Sequence, residues 1–483
     1  MIMNRRNFLG KSALASLLTT GSVASFISAC TPNRKINYKE YKVALNVDVL
    51  VCGGGCSGVA AAISAARHGA KVALIERLPS VGGMSTNALV NGWHCSDRQK
   101  LVILGLVAES VERAFKHNWI SKDNRFPFVH ESYWFEPEGM RIVWQKMLRE
   151  AGVRTFCYLA AGEPVVEDNQ IIGVLADTKT GRKAFLGKIV IDSTGDGDIA
   201  AKAGLPFSFG RESDGLVQGM TMCFTLRGLD VPAMKAIPVK KIDEIMDEMA
   251  RLQKEGNFPN YNAGNTRSLL NGVWGNFVPW NMCPVAGNPL DEEELTRLTE
   301  TSREQIIQYI DFWKMNVPGM EKAELDITAC SLGIRESRRI KGLKTLDKTM
   351  VLEAVKQPDA VGHGVWMIDI HDPKGSGHTT WSDQNARIML KAGASYHIPL
   401  GIALNNQISN LAVACRAAST THEAHASFRV QTHLMTLAQG VGTCAALALD
   451  GKTTMDKVDI SKLQQILKAD GVYLEDIPQK QKS

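Results

Sequence analysis

Residues 47–77 read VDVLVCGGGCSGVAAAISAARHGAKVALIER. Val47, Val49 and Val51 alternate as a half-buried strand does, and the alternation runs straight into glycines. VAAAISAARHGA then has the small-residue pattern of a packed helix, and KVALIER that of a second buried strand. Gly53, Gly55 and Gly58 form GxGxxG at the turn between strand and helix. The first glycine allows the tight turn, the second lets a pyrophosphate reach the backbone, and the third lets helix and strand pack closely. The helix N-terminus offers free N–H groups and partial positive charge to the phosphates. Glu76, at the end of the second strand, is placed to hold both ribose hydroxyls, which argues against a cofactor with a 2′-phosphate. GxGxxG alone is weak; inside a strand–helix–strand frame with the acid in place it predicts a dinucleotide site.

Working outward, Gly82-Gly83-Met84-Ser85 supplies a second glycine loop that a nicotinamide domain does not need and that many flavoproteins lay along FAD. IDSTGDGD at 191–198 is a strand running into another glycine loop, centred on Thr194-Gly195-Asp196. Residues 408–449 read as a strand, a loop and a helix over 427–449, whose N-terminus would face the flavin pyrimidine and stabilise charge developing there. FAD is therefore the expected cofactor, held by Gly53, Gly55, Cys56, Ser57, Gly58, Glu76, Arg77, Gly83, Met84, Ser85, Thr194, Gly195 and Asp196.

The 483 residues are enough for two or three domains. With 45% hydrophobic and 22% charged residues the chain is globular, neither disordered nor fibrous. A net charge of +5 without a basic block makes nucleic acid a poor partner. Ten cysteines are too dilute for a disulfide scaffold, and none forms CxxC, so iron–sulfur and zinc-ribbon spacings are absent and no metal is expected. The N-terminus carries Arg5-Arg6 before Phe8-Leu9, then a weakly apolar stretch ending ISAC at Cys30. This resembles a twin-arginine export signal with a lipobox, so export, lipidation at Cys30 and membrane contact only through this segment are expected. The expected organisation is a signal over 1–30, a polar tether over 31–45, a first cofactor-domain part over 46–205, a substrate domain over 206–400, and a last cofactor-domain part with a C-terminal helix over 401–483. Helices are expected across most of 97–150, with one starting at Glu136-Pro137, and over 291–316 with Asp291 as N-cap.

Taken with GGMST, LGIRESRRIKG at 332–342, MIDIHDP at 367–373 and TTHEAHASFRV at 420–430, these stretches resemble a known family. The chain is similar to FAD-dependent oxidoreductases related to the flavin-bearing part of heterodisulfide reductase and, more distantly, to fumarate-reductase-type flavoproteins. The resemblance covers roughly 46–471 and implies an α/β fold: a glutathione-reductase-like, Rossmann-type FAD domain with an interleaved α+β substrate domain. Cys415 stands where the family usually has glycine, and Leu400-Gly401 where it usually has Tyr-Arg, removing a cation from near the active site.

Flavin chemistry moves a hydride and needs a group for the matching proton. Of 11 histidines, His371 in IDIHDP and His422 in TTHEA are the candidate bases, with Glu423 the expected partner of His422. His363, His378, His425 and His433 read as packing residues. HEAH has the wrong spacing for a zinc-protease helix. Arg335, Arg338 and Arg339 would share one face of a helix and fork onto an anion, and Arg429 starts the last helix beside the expected flavin. Trp134, Trp366 and Trp381 are candidates to stack on a sugar-like substrate, although most tryptophans are simply core. The expected activity is oxidation of an alcohol or amine carbon of a small molecule, with an electron partner that no residue names. The alternatives are reduction of an activated double bond in an anionic substrate, or a flavin electron carrier without turnover of its own.

Overall fold

The computed structural model describes residues 36–123, 132–270, 280–375 and 387–475. The paired arginines, Cys30, His378 and Trp381 lie outside the described residues. Seven strands form the main sheet: β1 (Lys42–Cys52), β2 (Val72–Ile75), β3 (Arg154–Phe156), β4 (Ala161–Glu167), β5 (Gln170–Thr178), β6 (Gly181–Asp192) and β7 (Leu411–Val413). Their order is β3-β2-β1-β6-β5-β4, with β7 also on β6. β1 runs parallel to both neighbours, Val49 lying opposite Val72 and Ile189. β6 works twice: its first half pairs antiparallel with β5, while Val190, Ile191 and Asp192 pair parallel with Leu411, Ala412 and Val413. The result is a Rossmann-type parallel sheet extended by an antiparallel meander, whose turns fall at Asp168-Asn169, as the polar residues there predict, and at Lys179-Thr180, one residue before the expected Thr180-Gly181, because Gly181 already pairs with Thr178. Val49, Leu50, Val51 and Cys52 are completely buried, as expected of a parallel strand covered on both faces.

The tether is shorter than its polarity implies. Lys42 already pairs with Lys183 and Leu45 with Phe185, so 42–45 belong to β1, because the partner strand is long enough to carry them.

The helices include α1 (Cys56–Arg67), α2 (Pro137–Glu150), α3 (Glu292–Asn316), α4 (His422–Phe428), α5 (Gln431–Asp450) and α6 (Ile460–Ala469). α1 and α5 pack on small residues. A Cβ on Gly442 would stand 2.3 Å from the Ala61 carbonyl, and the Ser64 hydroxyl lies 2.9 Å from the Gln439 carbonyl and 2.7 Å from the Thr443 hydroxyl. No helix among the described residues is long and apolar enough to cross a membrane.

Three helical expectations are corrected. Within 97–150 the backbone is helical over Leu106–Phe115 and α2, but Ile120–Asp123 and Ser132–Phe135 are strands of a small sheet with Gly92–His94. Residues 427–449 are not one helix: Val430 is extended, and it ends α4 and starts α5. Gln431 holds the new start, donating to the Val90 carbonyl (2.6 Å) and accepting from Trp93 Nε1 (2.9 Å) and Ser85. LGIRESRRIKG is not helical either. Arg338–Ile340 is a strand paired antiparallel with Phe207–Phe209, so successive side chains alternate faces and the three guanidiniums diverge.

A second core fills 220–334. Its sheet sets Met220–Arg227 between Trp280–Val285 and Glu324–Thr328. α3 buries Leu298, Ile306, Tyr309 and Trp313 in this core, and the Asp291 carboxylate caps it by accepting from Glu294 N–H (2.7 Å).

Candidate functional site

One large cavity, about 610 Å³, opens where the glycine loops, the second core and the start of α5 meet. At one end the three glycines divide the work as the motif requires. Gly53 has φ +101°, and a Cβ there would stand 2.3 Å from the Ser193 carbonyl; a Cβ on Gly58 would stand 1.9 Å from the Gly53 carbonyl. A Cβ on Gly55 would meet nothing within 4 Å, because this residue faces the cavity. Gly53 and Gly58 serve packing; Gly55 leaves its space open to the cavity.

Glu76 lines the same end with 6% of its surface exposed. Its Oε2 accepts from Gly54 N–H (2.6 Å) and its Oε1 from Leu78 N–H (2.8 Å), which fixes the carboxylate while leaving lone pairs for a ligand. Burial raises its pKa against these two bonds. Cys56, Ser57, Arg77, Gly83, Met84, Thr194 and Gly195 also line the cavity. The Cys56 thiol is pushed up to about 11 by burial and is not a thiolate at neutral pH.

Three residues expected to hold the cofactor do not line the cavity. Gly58 packs helix on strand. Ser85 lies outside the cavity lining and donates to Gln431. Asp196 also lies outside it, accepting from Ser337 and pairing with Arg416. Arg416 is a residue that motif reading missed, since it follows Cys415 in an otherwise small-residue loop. It lines the cavity, and its Nε is buried without a hydrogen-bond partner among the described residues. Asp192 was also missed: it accepts from Thr194 N–H (3.0 Å), the Thr194 hydroxyl (2.7 Å) and Ala200 N–H (2.8 Å), so it pins the glycine loop. Burial raises its pKa to about 6.

The other end of the cavity holds the titratable groups. His371 Nε2 lies 3.2 Å from Asp369 Oδ2, and the Arg429 guanidinium donates to the Asp369 carbonyl (3.0 Å). Arg335 donates to the Gly219 carbonyl (2.7 Å). All four side chains line the cavity. Burial, reinforced by Arg335, lowers the His371 pKa to about 3 although Asp369 pulls the other way, so the imidazole is neutral. An ionised carboxylate only accepts, so Nε2 carries the proton and Nδ1 is left as the acceptor. Trp366 lines the wall here and stacks on His94, ring centroids 3.8 Å apart. Val430, Gln431 and Thr432 bring the N-terminus of α5 to the cavity.

His422 and Arg338 are not at this wall. His422 Nδ1 lies 2.9 Å from Glu336 Oε1, not against Glu423, and neither His422 nor Glu336 lines the cavity. Burial pushes Glu336 up, but the His422 bond and the charges of His425, His422 and Arg339 outweigh it and hold the carboxyl at about 2. α4 starts at His422, with Thr421 as its cap, and this points the ring back into the protein. Arg338 pairs with Asp198 (2.8 Å), and Arg339 is buried on Glu336, Thr420 and Gly210. No group of three His, Cys, Asp or Glu side chains among the described residues is arranged to hold a metal ion.

The donor set fits an extended dinucleotide: an open glycine at a helix N-terminus for the pyrophosphate, a fixed carboxylate for the ribose, a buried cation in the middle, and a second helix N-terminus at the far end. This is the construction of a Rossmann-type flavoprotein. Residues 48–467 match the model of the FAD dependent oxidoreductase family, and the chain belongs to that family. It is an FAD-dependent oxidoreductase. Among curated proteins it is 28% identical over 179 residues to the thiamine thiazole synthase of Pyrococcus horikoshii, an alignment covering 34% of this chain; the chain spans 64% of that relative's length. Among solved structures it is similar to a geranylgeranyl bacteriochlorophyll reductase-like protein from Thermoplasma acidophilum (12% identity, TM-score 0.43, 88% of this chain and 83% of that one). It is also similar to glycine oxidase from Geobacillus kaustophilus (11% identity, TM-score 0.36, 90% of this chain and 100% of that one).

Proposed function

We propose that the protein oxidises a hydroxyl- or amine-bearing carbon of a small organic molecule, with His371 as the proton acceptor. The observation that carries this reading is a neutral imidazole, oriented by Asp369, on the wall of the cavity that the glycine loops also line. When bound, FAD supplies a two-electron acceptor for the hydride of the substrate carbon. His371 Nδ1 takes the O–H or N–H proton. Asp369 holds the tautomer and offsets the charge that appears on the ring beside Arg335 and Arg429. Trp366 and Trp134 exclude water from the wall. Gly55, the α1 N-terminus, Glu76, Thr194, Gly195 and Arg416 would hold the cofactor, and the N-terminus of α5 favours negative charge at its far end.

His371→Ala should keep its FAD and lose flavin reduction by roughly 100-fold or more, the scale of a lost general base. Anaerobic stopped-flow against a panel of alcohols and amines measures this. Reoxidation of dithionite-reduced enzyme by enoates, with no bleaching by alcohols or amines, would sink the oxidation reading in favour of enoate reduction. A flavin neither reduced nor reoxidised by any of them would favour the carrier reading. We propose further that the chain is exported through its twin-arginine stretch and lipidated at Cys30. Failure of Cys30→Ala to shift the protein from the membrane to the soluble fraction would refute the anchor.

A further inference from the structure

The cavity continues past Arg335 along one side of the strand Met220–Arg227. Thr221 and Cys223 are two residues apart, share that side and both line the cavity. Gly219 receives the Arg335 bond, Thr221 bridges to Gly333, and the Cys223 carbonyl accepts from Ala329 N–H (2.8 Å). From Thr221 to Cys223 the strand advances about 7 Å. Opposite Cys223 on the neighbouring strand is Asn281, and beside it are Asn262 and Asn265; all three line the cavity.

These amides have hydrogen-bonding capacity to spare. Asn265 Nδ2 donates to the Asn281 carbonyl (3.0 Å), which leaves its Oδ1. Asn262 Oδ1 accepts from Asn265 N–H (3.1 Å), which leaves its Nδ2. Asn281 Oδ1 is buried without a partner among the described residues. A buried acceptor left unpaired costs as much as a hydrogen bond contributes, so a turn of this covered amide onto a ligand hydroxyl in the cavity would satisfy it. The charged residues lining the cavity belong to other segments: Arg335, Asp369, His371 and Arg429 near the base, the rest at the glycine loops. The guanidinium of Arg429 already has Asp369 Oδ2 at 3.8 Å, so the base end is not a bare cation pair.

We propose that the substrate is a neutral, polyhydroxylated molecule of sugar or glycoside size. One hydroxyl-bearing carbon sits at His371, and remote hydroxyls sit on Asn262, Asn265 and Asn281. This rests on the oxidation reading above. The C–H and O–H bonds of that one carbinol break and a C=O forms; the hydride carries two electrons to FAD and the proton goes to His371. A two- or three-carbon acid would leave the amide end unfilled.

The test uses FAD-loaded protein, titrated with methyl β-glucopyranoside, cellobiose, lactate and glycine. Calorimetry and the perturbation of the bound flavin spectrum report binding, and anaerobic bleaching reports reaction. The glycosides should bind and bleach the flavin. Asn281→Ala should weaken their binding about 2- to 10-fold, the scale of one neutral hydrogen bond, with FAD content and the unliganded spectrum unchanged. Binding and bleaching by lactate or glycine, with no response to either glycoside, overturns the substrate class and leaves the oxidation reading standing. No bleaching by any hydroxyl or amine compound overturns the oxidation reading itself. Glycoside binding undiminished in Asn281→Ala overturns the seat assigned to the remote hydroxyls.

Discussion

The two walls of the cavity are built on different plans. The glycine wall comes from short stretches around Gly53–Gly58, Gly83 and Thr194-Gly195, where backbone rather than side chains faces the cavity. The opposite wall draws side chains from strands, loops and helix starts spread from Asn262 to Thr432. A backbone cradle depends on glycine at fixed spacing; a side-chain wall depends on tertiary packing. The first therefore tolerates few residue types, and the second has its behaviour set by charge and burial.

The largest expected effect falls on the cradle. Gly55→Asp should abolish FAD binding while far-ultraviolet circular dichroism stays native, because the new carboxylate enters the space meant for the pyrophosphate. A yellow Gly55→Asp protein would break the contrast. Next comes acid. His363, His371, His425 and His433 all have pKa values lowered to about 3, burial being the first cause in each, against 6.5 when unfolded. The unfolded state binds more protons below pH 6.5, so stability falls as pH drops, by about 2 kcal/mol per histidine between pH 6.5 and 5. Glu336, held at about 2, adds stability that is present above 4.5 and lost on further acidification. Asp192, raised to about 6, opposes this weakly as its own contribution returns below that value. Urea unfolding at pH 7, 6 and 5 would show the loss; equal midpoints at the three values would refute it.

His422→Ala separates support from chemistry. It leaves the buried Glu336 without one partner and should cost about 3 kcal/mol, the low end for a broken buried pair. Flavin reduction in the surviving holoprotein should stay within a few-fold of normal, unlike that of His371→Ala. A 100-fold slower His422→Ala would return the base to that residue. The smallest effect is Asp291→Ala, which removes the cap of α3 in the second core and should cost about 1 kcal/mol without changing FAD affinity.

These contrasts explain what could be read from the chain alone. The meander turn at Asp168-Asn169 and the start of α3 were legible because each is set by neighbours within a few residues, and the glycine cradle and Glu76 because their spacing follows a recurring strand–helix–strand pattern. The break at Val430 was not, because Gln431 is held by Val90, Trp93 and Ser85 from more than 300 positions earlier. The arginine motif misled for a similar reason: helical spacing was present, but pairing with Phe207–Phe209 made it a strand. His422 and His371 looked alike in sequence, and only the cap at Thr421 and the position of Glu336 turn one inward.

The packing of α1 against α5 also sets an order of events during synthesis. The glycine cradle leaves the ribosome well before the helix that braces it: Thr443, against Ser64, comes 379 residues later, and Gly442 lies against Ala61. β7, which closes the parallel edge on β6, emerges only shortly before it. Such long-range pairing delays closure until most of the chain is present. The strand–helix–strand unit that carries the glycines is therefore without this brace until α5 has been made.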